Sequence, residues 1–281
     1  MRRTSRLKPE QRNEIKKWAA SAPKQLPKFL PKGLPMDRKE RLLIGLESRK
    51  VNAENAVALV LKEHKLIDSL LHGFSSRIPH VKFGCSRGLL VLSEKRPDLL
   101  YPKIDRFFAL LGSENRILKW NAIGILGNLA AVDRDRRIRS LLPKLYECLS
   151  GGELITANNT IAAPGMLGRA FPEEQERITA RLLEIEHAKF KTDECRNIAI
   201  GKAILAVTMF LNPAGDWKEV LDFARRQRDN GRRATATKAE AFLRKYERAE
   251  PAPKSVRNKP RIFTNASEAA GRSPLLENRR N

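Results

Sequence analysis

One short pattern occurs four times along the chain at intervals near forty residues, and this recurrence limits the fold more than any single motif. Each copy has a two-residue start, a small side chain about a turn later, and a Leu-Gly-like pair four positions beyond that. The copies are Val81-Lys82 with Cys85 and Leu89-Leu90; Leu118-Lys119 with Ala122 and Leu126-Gly127; Asn159-Thr160 with Ala163 and Leu167-Gly168; and Cys195-Arg196 with Ala199 and Ala203-Ile204. Successive copies are offset by 37, 41 and 36 residues, and a fifth, weaker one starts near Arg232 with Ala236 in the small position. The second copy is the best formed. Its Leu118, Ala122, Ile125, Leu126 and Leu129 share one helical face, while Lys119 and Asn128 can reach water. A two-helix unit of this length cannot bury its apolar face alone and does so by stacking on its neighbours.

The segments between the copies supply the partner helices. Asp37 to Ser48 reads as a first helix, and Asn52, a good N-cap, opens a longer apolar-periodic stretch to Phe74. A helix after Pro79 ends before Pro97, and the next, from about Pro97 to Leu111, carries Pro102 inside it. Pro143 stands in the corresponding place of the segment Leu141 to Leu149. A proline there kinks a helix or ends its first turn, because it lacks the N–H that the previous turn requires.

A two-helix unit with proline in its first helix and Leu-Lys-x-x-Ala-x-x-x-Leu-Gly in its second resembles the HEAT repeat of the armadillo-like helical proteins. The resemblance covers roughly residues 52–248 and is clearest over 97–130. It implies an all-α protein, a right-handed α-solenoid of about five HEAT-like helical hairpins. It says little about activity, since HEAT arrays serve as scaffolds, transport adaptors, lyase-type chaperones of chromoproteins and, in a minority, DNA glycosylases. Only 6% of the residues are aromatic, so the core is expected to be Leu, Ile, Ala and Val.

Three regions follow: a basic, proline-rich flexible arm over 1–36, the solenoid over 37–249, and a basic disordered tail over 250–281. Pro23, Pro27, Pro31 and Pro35 keep the arm extended, and Met36, directly ahead of the first helix, is a second candidate start of translation. The net charge of +23 is uneven. Residues 1–35 carry ten basic and two acidic residues, 225–281 carry sixteen and six, and only +5 remains for the centre. With no apolar run long enough for a membrane span and no signal-like N-terminus, a cytoplasmic location is expected, with Cys85, Cys148 and Cys195 as reduced, buried thiols.

No catalytic constellation stands out. His64, His72, His80 and His187 lack metal-ligand spacing with one another or with cysteine, and Gly-x-Ser-x-Gly and phosphate-binding glycine loops are absent. The reading is therefore non-enzymatic, with no metal and no cofactor. HEAT-type glycosylases place an Asp one turn after a Trp; Trp120 is followed there by Gly124, and Trp217 by Lys218-Glu219-Val220-Leu221.

Two surfaces remain as candidates for binding. Lys82, Lys119, Thr160 and Arg196 occupy equivalent places on the second helices, and with Trp120, Asn121, Asn128 and Asn158 they could line a concave surface for a protein partner. Glu114 and Asp193 lie close enough to Lys119 and Arg196 to tie such a ladder into intra-turn ion pairs instead. The second surface is basic: Arg225, Arg226, Arg228, Arg232 and Arg233, continued by Arg244, Lys245 and the tail cations Lys254, Arg257, Lys259 and Arg261, could neutralise nucleic-acid phosphates. Base stacking there has only Phe223, Phe242, Tyr246 and Phe263 to call on.

Overall fold

The computed structural model describes residues 37–150, 154–212 and 217–247, so the arm and the tail lie outside the described residues. Those residues form helices α1 (Arg38–Glu47), α2 (Ala53–Lys62), α3 (Leu66–His72), α4 (Pro79–Lys95), α5 (Pro97–Leu100), α6 (Ile104–Leu110) and α7 (Arg116–Leu129). They continue as α8 (Leu142–Ser150), α9 (Leu154–Thr160), α10 (Ala162–Ala170), α11 (Gln175–Leu183), α12 (Asp193–Val207), α13 (Lys218–Arg226) and α14 (Arg233–Tyr246), and no strand occurs among the described residues.

Helices of the recurring pattern pack each on the next, α4 on α7, α7 on α9 and α10, these on α12, and α12 on α14, and α2 extends the row by packing on α4. The intervening helices pack against this row, with α3 on α4, α5 and α6 on α7, α8 on α9, α11 on α12 and α13 on α14. Contacts run from neighbour to neighbour, which makes the fold an all-α solenoid of stacked helical hairpins. The core threads the pairs as Leu, Ile, Val and Ala, with Phe107 and Phe223 the largest fully buried side chains.

Local chemistry sets the helix ends. Asn52, Asn115 and Thr192 cap α2, α7 and α12 by accepting from the backbone N–H three residues on, at 2.8, 3.2 and 3.2 Å. The stretch from Asn52 to Phe74 is two helices rather than one. At Glu63 the backbone turns extended, and α3 starts three residues later. The polar residues Glu63, His64 and Lys65 carry the chain across, so that Val57 and Val60 are buried in one row and Leu66 and Leu70 in the other.

The two equivalent prolines behave differently. Pro102 has no N–H for the Asp98 carbonyl, and the helix breaks into α5, a 3-10 turn Tyr101–Lys103, and α6. Pro143 is the second residue of α8, after the 3-10 segment Arg137–Leu141, where a missing N–H costs no helical bond; it starts a helix rather than kinking one. A third proline interrupts a second helix. Pro164 cannot donate to the Thr160 carbonyl, and Thr160 Oγ1 bonds back to the Thr156 carbonyl at 2.9 Å, so the third copy splits at Ile161 into α9 and α10.

Cys85 is fully buried, which pushes its thiol up to about 12. Cys195 is half-buried, contrary to the expectation of a buried thiol, because it sits in the exposed first turn of α12. No helix among the described residues is long and apolar enough to cross a membrane.

Candidate functional site

The two rows of helices are joined by different chemistry. Along the second helices the seams are closed by small residues and hydrogen bonds and, between α12 and the residue before α14, by the Arg232–Glu194 ion pair. A Cβ on Gly165 would stand 2.5 Å from the Ala206 carbonyl oxygen, so α10 and α12 approach as only glycine allows, while one on Gly127 would meet Met166 Sδ at 2.8 Å and Ala163 at ordinary contact distance. Asn121 Nδ2 donates to Ser86 Oγ at 2.8 Å, and Asn128 Nδ2 to Ser93 Oγ at 2.9 Å, two parallel bonds from α7 to α4. Further along, Thr235 Oγ1 donates to the Asn197 carbonyl at 2.7 Å and Lys202 Nζ to the Asn158 carbonyl at 2.9 Å.

The first helices and their loops are stitched by ions. Lys103 pairs with Asp68 at 2.7 Å, Arg137 with Asp105, Arg136 with Glu173 at 2.5 Å, and Arg226 with Glu186 at 2.6 Å, each bridging adjacent repeats. Glu174, almost fully buried, accepts from Arg139 Nε at 2.5 Å. Asp133, also buried, accepts from the Tyr101 hydroxyl at 2.6 Å and from the backbone N–H of Arg137 and Ile138 at 3.2 and 2.7 Å. Burial first, then this hydrogen bond, push the Tyr101 phenol up to about 12.

Of the two intra-turn ion pairs open to the ladder on the second helices, only that of Arg196 forms among the described residues. Lys82 and Lys119 are half-buried with no carboxylate partner among the described residues, and Glu114 does not pair with Lys119. Thr160 is fully buried and bonded within its own helix, because the break at Ile161 takes it out of register. Arg196 does pair with Asp193, at 2.7 Å, in the first turn of α12. Asn121 and Asn128 are spent on the seam with α4. Asn158 gives its carbonyl to Lys202 while its Oδ1 is buried without a partner. Trp120 is half-buried on α7.

What the repeat pattern did not flag is apolar. Ile117 on α7, Ile155 on α9, and Leu205 and Met209 on and just after α12 are exposed, at 42%, 59%, 49% and 37%. The available signal was apolar residues out of phase with the buried face, at Ile117 beside Leu118 and at Leu205 beside Ile204. Two further exposed large apolar residues, Ile44 and Ile78, lie at α1 and just before α4.

The basic cluster is largely occupied. Arg225 bonds Asp222 and Glu247 at 2.8 and 2.9 Å, Arg226 bonds Glu186, and Arg232 bonds Glu194 at 2.8 Å. Arg228 and Arg233 are exposed and have no carboxylate partner among the described residues. Phe223, Phe242 and Tyr246 are core residues, with the last two stacked at 4.6 Å, and Phe263 lies outside the described residues. Among the described residues no cluster of His, Cys, Asp or Glu could hold a metal ion. A cavity between α8 and α11 is lined by Tyr146, whose ring lies under the guanidinium groups of Arg177 and Arg181 at 5.6 and 5.9 Å.

The chain matches no protein-family model and no curated protein. Among solved structures it is similar to a designed armadillo repeat protein, with 14% identity over 76% of this chain and 96% of that one and a TM-score of 0.49. It is also similar to an engineered protein, with 14% identity over 84% of this chain and 98% of that one and a TM-score of 0.47.

Proposed function

We propose that the chain is a non-enzymatic scaffold that binds a protein partner along the face of its second helices. The observation that carries this reading is the exposure of Ile117, Ile155 and Leu205 on the second helices and of Met209 just after α12, in a row of helices that also carries Lys82 and Lys119 without a carboxylate partner among the described residues. Exposed large apolar side chains and cations without a carboxylate partner are features that a protein interface uses. On the first-helix side, by contrast, Lys103, Arg136, Arg137 and Arg226 are paired with carboxylates of adjacent repeats.

The alternative is nucleic-acid binding through the last helix pair and the tail. Exposed Arg228 and Arg233 favour it, while the pairing of Arg225, Arg226 and Arg232 and the burial of three of the four aromatics remove much of its support. A photo-crosslinking side chain at position 155 tests both. A protein adduct in the source cells, absent when the same group replaces Glu176 on α11, is the expected result. Adducts with nucleic acid alone, or equal yields at the two positions, overturn the reading.

A further inference from the structure

One pair of cations on the second-helix face has surroundings unlike the rest. Lys202 on α12 and Lys238 on α14 are half-buried neighbours across a seam that Gly201 lets close: a Cβ there would stand 2.7 Å from Thr235 Oγ1 and 3.4 Å from Lys238 Nζ. Lys202 Nζ donates to the Asn158 carbonyl, and no carboxylate among the described residues pairs with either amine. Asp193 and Glu194, on the same α12, are already held by Arg196 and Arg232. Burial, with the charge of Lys238 beside Lys202 and of Arg232 beside Lys238, lowers both amines from the usual lysine value. Two crowded ammonium groups of this kind gain from any anion placed between them.

The flanks say which anion. Leu205, one turn beyond Lys202, and Met209, a further turn on, are exposed, and exposed Ala234 and Ala241 bracket Lys238. No exposed aromatic lies on α12 or α14 to stack on a base. We infer that Lys202 and Lys238 form a carboxylate-binding subsite, which takes an acidic side chain of a peptide whose neighbouring apolar side chain rests on Leu205. This rests on the reading of the second-helix face as the protein-binding surface, and names the chemistry that surface selects.

The test uses the full chain and a fluorescein-labelled peptide of alternating Glu and Leu, read by anisotropy, with Gln replacing Glu in a reference peptide and oligothymidylate as competitor. The expected result is that K202Q/K238Q weakens the Glu-Leu peptide by about tenfold, leaves the Gln-Leu peptide unchanged, and has an unfolding midpoint no lower than wild type. Equal binding of the Glu-Leu peptide by wild type and K202Q/K238Q overturns the subsite, as does displacement by oligothymidylate in preference to the unlabelled peptide. Leu205→Glu separates the two levels. If it abolishes binding while K202Q/K238Q does not, the face binds peptide without this subsite; if neither variant changes binding, the subsite and the reading beneath it both fall.

Discussion

The two rows of helices face the same problem, joining one repeat to the next, and solve it with largely different chemistry, although Arg232–Glu194 adds an ion pair to the second row. On the first-helix side adjacent units are tied by Asp68–Lys103, Asp105–Arg137, Glu173–Arg136 and Glu186–Arg226. On the second-helix side they are tied by glycine contacts and by Asn121–Ser86 and Asn128–Ser93. Exposed ion pairs tolerate water and length variation, so they suit a surface that need only be held. Close helix contacts and neutral bonds fix the geometry of α7 on α4 without using Lys82 or Lys119, whereas Lys202 and Arg232 are engaged on later seams.

Substitution at the tightest second-helix contact should break this contrast most severely. Gly165→Val places a branched side chain against the Ala206 carbonyl, 2.5 Å from a Cβ, and should destabilise the fold by about 3 kcal/mol or more, measured by urea denaturation. A loss below about 1 kcal/mol would show that α10 and α12 can separate freely.

Next in size is the buried lock of the other side. Asp133→Ala leaves the Arg137 and Ile138 N–H groups and the Tyr101 hydroxyl without their acceptor, for an expected cost of about 2–4 kcal/mol. Its milder relative Asp133→Asn has a spectroscopic readout. The neutral phenol is favoured in the fold, so its contribution is present below pH 10 and lost as pH rises through about 12; in Asp133→Asn the phenolate absorbance of Tyr101 should appear at lower pH.

The smallest effects compare the two seams directly. Asn121→Ala should cost about 1 kcal/mol at any salt concentration, because Ser86 is buried and loses a neutral donor. Lys103→Gln, in a pair with both members exposed, should cost at most about 0.5 kcal/mol, and that should vanish in high salt. Equal salt dependence in the two variants would erase the distinction between the rows.

The repeat period and the helix pairs were legible because apolar spacing reports which residues face inward. The cap at Asn52 and the break at Pro102 were legible for a similar reason: each acts on its own turn of backbone. What could not be read was which neighbour a polar residue meets. Asn121 has the same spacing whether it faces a groove or Ser86, and only the packing of α7 on α4 decides. Thr160 kept its place in the alignment, yet Pro164, four residues on, moved it out of the ladder; the cause was in the sequence, and its reach was not. The pairings inside the basic cluster were hidden for the same reason: Glu186 and Glu194 lie 40 and 38 residues from their partners Arg226 and Arg232.

The paired Asn–Ser bonds carry a consequence for how such a chain assembles. Stacked units are similar enough to pair wrongly, and misassembly is a characteristic failure of repeat proteins. Ser86 and Ser93 are seven residues apart, two helical turns, and so are Asn121 and Asn128. In the later copies the matching positions hold Ala162 and Arg169, then Ile198 and Leu205. Only α7 presents both amides at that interval. A unit arriving out of order, or in order but slipped along the helix axis, would leave two buried hydroxyls without their donors, so the pair works as a key that admits one successor in one register.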